Sequence, residues 1–260
     1  QLDIRATVDP GNGYYLALAD GRVYGFGAAS RVQAVPADRL HAPLVGSSRR
    51  TPDAGVLVVT ADGVVWALSE SAAEQVGRYP STSGAPAIDI ATAHGTASGC
   101  WIAYASGEVR PIGDAPDFGD ASLEALTEPL VAIASMPNGN GYWVCTADGA
   151  VLSFGDAYFY GSLTSVELAG AIVDMASAGR GDGYWMLAED GGVFCFGSAR
   201  FHGSLVDRST DGSPIGLVGL GGLHGYWVAT SSGTVFALGN AAYLGSSGHG
   251  RFGARAIGIC

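Results

Sequence analysis

The sequence contains no lysine: all thirteen basic residues are arginine, set against 24 Asp and Glu, for a formal charge of −11. Phosphate contacts need a basic surface, so nucleic acid is not an expected partner. No run approaches the ~20 apolar residues of a membrane-crossing helix, and the chain is expected not to be membrane-embedded. Charged residues are scarce at 14%, and 48% of residues are apolar. That balance excludes disorder, which needs low hydrophobicity and high charge. Cysteine is limited to Cys100, Cys145, Cys195 and Cys260, with no CxxC pair and no zinc-like spacing to histidine. Three pairings are possible. Buried free thiols are the expected state, with a disulfide as the alternative. The first residue is Gln1 and no charged-then-apolar leader follows it. The expectation is a processed protein or a segment of a longer one.

Glycine, by contrast, is abundant at 41 of 260 residues. Much of it falls in a repeat. Asp-Gly or Ser-Gly pairs stand at Asp20-Gly21, Asp62-Gly63, Ser106-Gly107, Asp148-Gly149, Asp190-Gly191 and Ser232-Gly233. The glycines are 42 residues apart except for one step of 44, and Trp101, Trp143, Trp185 and Trp227 keep the same step. A unit of this length is a supersecondary building block. Each pair reads as a two-residue type I′ hairpin turn between strands such as 142–146 and 151–154. A further apolar stretch precedes each unit, as in Ile172-Val173-Asp174-Met175. An aromatic segment ends the clearest units: Phe159-Tyr160-Gly161-Ser162, Phe201-His202-Gly203-Ser204 and Tyr243-Leu244-Gly245-Ser246. Three to four short strands per unit are predicted, with Asp120–Leu130 as the one plausible short helix.

The strand after the turn carries two apolar faces of unequal size. Val23, Val65, Val109, Val151, Val193 and Val235 share a parity with small residues, while Tyr24, Trp66, Phe194 and Phe236 stand on the other. Side chains alternate along a strand, so bulky faces meet small ones between stacked sheets. Six units therefore predict an all-β, six-bladed β-propeller of ~42-residue repeats forming one domain over residues 1–260. The stretch Ala254–Ile259 resembles the start of a further unit, and Leu2–Thr7 opens the first. Closure of the ring by joining the two ends is expected. A seven-bladed ring or a piece of a longer array is the alternative.

The consensus GYW-x-x-x-x-DG-x-VF-x-FG-x-A-x-F-x-GS stands most fully from Gly141-Tyr142-Trp143 to Phe159-Tyr160-Gly161-Ser162. It resembles the repeats of actinobacterial secreted and cell-wall-associated proteins, often found beside hydrolase domains. More distantly it is similar to the regulator-of-chromosome-condensation type of propeller repeat. The match is specific in units four to six and weaker in one to three, where Arg110 and Pro111 break it. The resemblance implies a propeller in an extracytoplasmic setting. The distant family includes a nucleotide-exchange factor and β-lactamase inhibitors, but no residue of either function transfers.

No catalytic pattern stands out. His41, His94, His202, His224 and His249 have no metal-ligand spacing, no nucleophile elbow occurs, and each Asp-Gly turn brings one carboxylate where a calcium loop needs several. Neither a cofactor nor a metal is expected. The Arg180-Gly181-Asp182 triplet is weak evidence for adhesion. The candidate ligand-binding residues are Asp114 and Asp117 in the densest acidic loop, with Asp120 beyond, and Tyr158, Tyr160, Phe201, His202 and Tyr243 at the unit ends. Aromatic rings there can stack on sugars. The reading is a non-enzymatic binding module that docks a protein or glycan on a cell envelope, extracellular or surface-associated. The alternative is a structural propeller in a larger assembly such as a phage tail; a sugar-acting enzyme is a third reading. An asymmetric contact is expected in the irregular connections Ala28–Leu44 and Ser69–Ala87.

Overall fold

A computed structural model describes residues 13–50, 55–96, 98–122, 126–220, 224–246 and 254–260. It contains six antiparallel sheets. Five follow chain order. Sheet two is β3 (Leu44–Arg49), β4 (Val56–Thr60), β5 (Val64–Leu68) and β6 (Ala73–Arg78). Sheet three is β7 (Ala87–Thr92), β8 (Cys100–Tyr104) and β9 (Val109–Ile112); sheet four is β10 (Leu130–Ser135), β11 (Gly141–Thr146) and β12 (Val151–Gly155). Sheet five is β13 (Ile172–Ser177), β14 (Gly183–Ala188) and β15 (Val193–Gly197); sheet six is β16 (Pro214–Gly219), β17 (Gly225–Thr230) and β18 (Val235–Gly239). Sheet one breaks the order. There β1 (Gly13–Leu18) and β2 (Val23–Gly27) take β19 (Ala256–Ile259), from the other end of the sequence, as their inner strand.

This is a six-bladed propeller closed by pairing of the first and last strands. Leu16 faces Ile259 and Ala17 faces Gly258, and Tyr15 and Cys260 exchange both backbone hydrogen bonds, at 2.7 and 3.0 Å. The expected contribution of Leu2–Thr7 to closure lies outside the described residues. Among the described residues blade two alone has a full fourth strand, β6, inside the connection read from sequence as irregular.

The core consists of six wedges between neighbouring blades. In the wedge between blades four and five, Phe194 and Phe196 of β15 pack against a cluster holding Trp143, Cys145 and Val151. The other face of β12 sends Leu152 and Phe154 into the preceding wedge. Bulky faces thus meet small ones, as the parity predicts. Four wedges contain a tilted or edge-on Trp–Tyr pair: Trp101–Tyr142, Trp143–Tyr184, Trp185–Tyr226 and Trp227–Tyr14, with centroids 5.1 to 5.5 Å apart. Such pairs add about 0.5–1.5 kcal/mol beyond burial.

The polar ends of these rings are also used. Trp101, Trp143, Trp185 and Trp227 donate Nε1–H to the carbonyls of Pro116, Tyr158, Arg200 and Ala242 in their own blades. The hydroxyls of Tyr14, Tyr142, Tyr184 and Tyr226 donate to the carbonyls of Gly245, Gly119, Gly161 and Gly203 in the preceding blades. One motif therefore closes its own blade with Trp and latches the preceding one with Tyr. Blade two lacks both rings on β4, and the buried indole N–H of Trp66 has no partner.

Two local expectations are corrected. The Asp-Gly turns are not type I′. Gly21, Gly63, Gly107, Gly149, Gly191 and Gly233 have φ of 79° to 97°, but the residue before each does not have positive φ. Gly149 N–H bonds Thr146 O, and Thr146 N–H bonds Ala150 O, which defines a three-residue loop with a glycine bulge. Aspartate is selected here for its side chain: Asp190 Oδ1 accepts from Gly192 N–H at 2.8 Å, fixing the turn from within. The helix predicted over Asp120–Leu130 is also absent among the described residues of that stretch, and β10 already begins at Leu130. Residues 123–125 lie outside the description. All four cysteines are unpaired.

Candidate functional site

Two regions have the makings of a site. The first is the central channel, a cavity of about 580 Å³ bounded by the innermost strands of all six blades. Each inner strand pairs with its neighbour irregularly after its first residue. The bulged residues are Val45, Ile88, Val131, Val173, Ile215 and Ile257, and all six line the channel near one end. At the other end stand the strand ends Arg49, Ser135 and Ser177, with Arg50 and His94 beside them.

Between these ends lie Asp89 and Asp174. An inner strand has no neighbour on the channel side, so half of its amides need another acceptor. Asp89 Oδ1 accepts from Ile90 N–H at 2.8 Å and Oδ2 from Ile133 N–H of the next blade at 3.2 Å. Asp174 does the same with Met175 N–H at 2.8 Å and Leu217 N–H at 2.6 Å. Each carboxylate staples two blades. The corresponding residues elsewhere are Gly46, Ala132, Gly216 and Gly258. A side chain at Gly46 would collide with Asp89, its Cβ falling 2.7 Å from Asp89 Oδ1. Burial pushes Asp174 up to about 7 despite its two N–H donors. Burial pushes Asp89 well above the usual carboxylate range, and the charge of Asp174 adds to it. Both residues line the lumen. Neither was singled out from sequence, although a lone Asp inside an apolar strand was the available signal.

The second region is the rim. Tyr158, Phe159, Phe201 and Tyr243 are 68, 51, 60 and 64% exposed. Phe159, Phe201 and Tyr243 occupy the same repeat position in blades four, five and six, with Tyr158 beside the first. Phe159 was not among the residues singled out, though the 42-residue step points to it. The rings stay outside because their neighbours go in: Trp143 draws the Tyr158 carbonyl inward at 2.8 Å, and Ala157 and Leu163 are buried on either side. Val166 and Val206 are exposed as well.

The remaining predicted residues divide differently. Tyr160 is half-buried, packed on Trp143 and Tyr184 at 6.5 and 5.9 Å, and its N–H donates to the Tyr184 hydroxyl. His202 takes the equivalent place, edge-on to Tyr226 at 5.6 Å, with its N–H on that hydroxyl. These two rings belong to the wedges. Asp114 Oδ1 accepts from the N–H and hydroxyl of Ser98, Asp117 Oδ1 from Gly119 N–H, and Asp120 Oδ1 from the N–H and hydroxyl of Ser122. These carboxylates therefore fix the acidic loop, in part onto the β7–β8 connection at Ser98. Asp182 likewise accepts from the Ser198 hydroxyl. Among the described residues no group of three or more His, Cys, Asp or Glu is placed to hold a metal ion.

No family model and no curated protein sequence matches this chain. Many solved structures share its fold. A chain of a nidogen/laminin complex is similar with a TM-score of 0.68 at 12% identity, covering 95% of this chain and 97% of that one. The β-propeller domain of Myceliophteria thermophila Cps50 (Swd1) is similar with a TM-score of 0.59 at 12% identity, covering 92% and 83%. At this identity the likeness extends to the propeller fold alone.

Proposed function

We propose that this propeller is a non-catalytic, extracytoplasmic binding module that docks a protein or a glycan on a cell envelope. The observation that carries the reading is the repeated exposure of Phe159, Phe201 and Tyr243 on three successive blades. A repeat buries its own apolar residues wherever it can. Keeping three aromatic rings outside at one repeat position is the pattern of a recognition surface. Tyr and Phe bring large contact area with few rotatable bonds, which suits stacking on sugar rings or packing into a partner. The resemblance of the repeat to secreted and wall-associated proteins supports the extracytoplasmic setting. A scaffold closed on itself offers loops and rims rather than moving parts, which supports binding over catalysis.

The test is retention of the labelled protein on isolated cell envelope, beside a triple variant Phe159→Ser, Phe201→Ser, Tyr243→Ser. Wild type is expected to be retained and the variant released, with both unfolding at similar temperatures. Loss of retention after glycan-degrading treatment identifies a sugar ligand; loss after protease identifies a protein. Equal retention of both forms removes the rim from the account. Absence of retention by either points instead to a structural role inside an assembly.

A further inference from the structure

We propose that the central channel is a binding site for a small organic carboxylate, whose head group is taken by Arg49. This site is separate from the rim and stands or falls independently of it.

Arg49 is the last residue of β3, so it meets the lumen at the end where the inner strands finish. Its guanidinium is held in place. Nη1 donates to the Gly13 carbonyl at 2.9 Å, and the group lies over the Tyr15 ring at 5.7 Å. The backbone beneath is also fixed, since the Thr92 hydroxyl donates to the Arg49 carbonyl at 2.9 Å. Yet no carboxylate among the described residues pairs with Arg49 or with neighbouring Arg50, and Arg49 Nε is buried without a partner. A half-buried guanidinium with an unpaired N–H in a protein of charge −11 is short of an anion. On the opposite blade, the buried Ser177 hydroxyl also has no partner and also lines the cavity.

The shape beneath Arg49 selects the body of the ligand. One residue further in, Ala91, Ala134 and Ala176 leave room, and Val218, Ser48 and Cys260 share that level. Deeper still, Asp89 and Asp174 are each engaged by two amides, and the far end is lined by β-branched aliphatics. A cavity of about 580 Å³ falls in the range of small-molecule sites. A single guanidinium beside mostly aliphatic walls fits a carboxylate on a short carbon chain. Inorganic phosphate, more strongly hydrated and without an apolar body, fits it less well.

The test uses the whole chain and sodium hexanoate, with 1-hexanol and inorganic phosphate as comparisons, titrated calorimetrically at fixed ionic strength. Hexanoate is expected to bind saturably at one site and both comparisons weakly or not at all. Arg49→Gln should weaken hexanoate ~10- to 100-fold, the usual worth of a charge-assisted pair. Arg200→Gln on the rim and the triple rim variant should leave it unchanged. Ala176→Leu, which fills the lumen without altering charge, should also weaken it and covers the case in which Arg49→Gln fails to fold. The proposal is overturned if hexanoate shows no saturable binding up to about 20 mM. It is equally overturned if hexanol or phosphate binds as well as hexanoate, or if a folded Arg49→Gln or Ala176→Leu binds it undiminished.

Discussion

Replacing Asp174 with Asn should change how the stability of the ring depends on pH. In the folded protein Asp174 holds its proton up to about pH 7, against 3.8 for an ordinary aspartate. Between those values the folded state binds more protons than the unfolded one, so stability falls as pH rises. The contribution is complete below pH 3.8 and gone above about 7. A shift of about three units corresponds to ~4 kcal/mol, which water in the lumen reduces to about 2–4 kcal/mol. Asp89 acts with the same sign. His94 opposes it, because burial lowers its pKa below 6.5 and stability then rises with pH through that window. The lowered carboxylates Asp20, Glu108 and Asp148 lose their contribution only as pH falls below their ordinary values. The difference between wild type and Asp174→Asn removes this group together with its charge effect on Asp89, and both act in the same direction. Asn loses one good acceptor contact to Met175 or Leu217, a cost that is the same at every pH. Urea unfolding at pH 4.5, 5.5, 6.5 and 7.5 should therefore show Asp174→Asn gaining on wild type by about 2–4 kcal/mol across the series. A difference that stays constant with pH would refute the claim that the folded ring keeps a proton on Asp174.

Three further outcomes follow from the same geometry. Tyr184→Phe removes the hydroxyl that bridges Gly161 O and Tyr160 N–H, and should cost ~1–2 kcal/mol in thermal or urea unfolding. Deleting Ala256–Cys260 leaves β1 without its inner neighbour, and limited proteolysis should then cut first within residues 13–27. All four thiols should resist a thiol reagent at pH 8 in the native protein and all four should react after unfolding without reductant, since burial raises Cys100 to about 12 and Cys195 to about 11.

Blade number and strand count were legible because each depends on a repeated local rule. A glycine with positive φ is needed at each Asp-Gly or Ser-Gly turn, and two apolar parities are needed wherever a sheet is sandwiched. The turn type was misread because Asp suits both a positive-φ position and a side-chain cap, and only the backbone distinguishes them. Exposed and buried aromatics were also confounded. Tyr158, Tyr160, Phe201 and His202 look alike in a repeat, but Tyr160 and His202 sit one position later than Phe159 and Phe201 and turn into the wedge. Arg49, Asp89 and Asp174 escaped notice for a different reason. Their meaning lies in facing a lumen, and a lumen is created by closure of the whole ring, not by any one strand.

The closing strand sets the order in which this protein can be completed on the ribosome. Blades two to six are assembled from neighbouring segments and can form as they emerge. Blade one cannot. Its β1 appears early but pairs with β19, which is nearly the last part of this sequence to be made. Until then an all-apolar strand, buried on both faces in the finished ring, waits with one edge unpaired. The most non-local contact is thus the final one, the kind of step that slows folding. The interval before it is when the chain is most exposed to wrong pairing, including with the β1 of a second nascent copy.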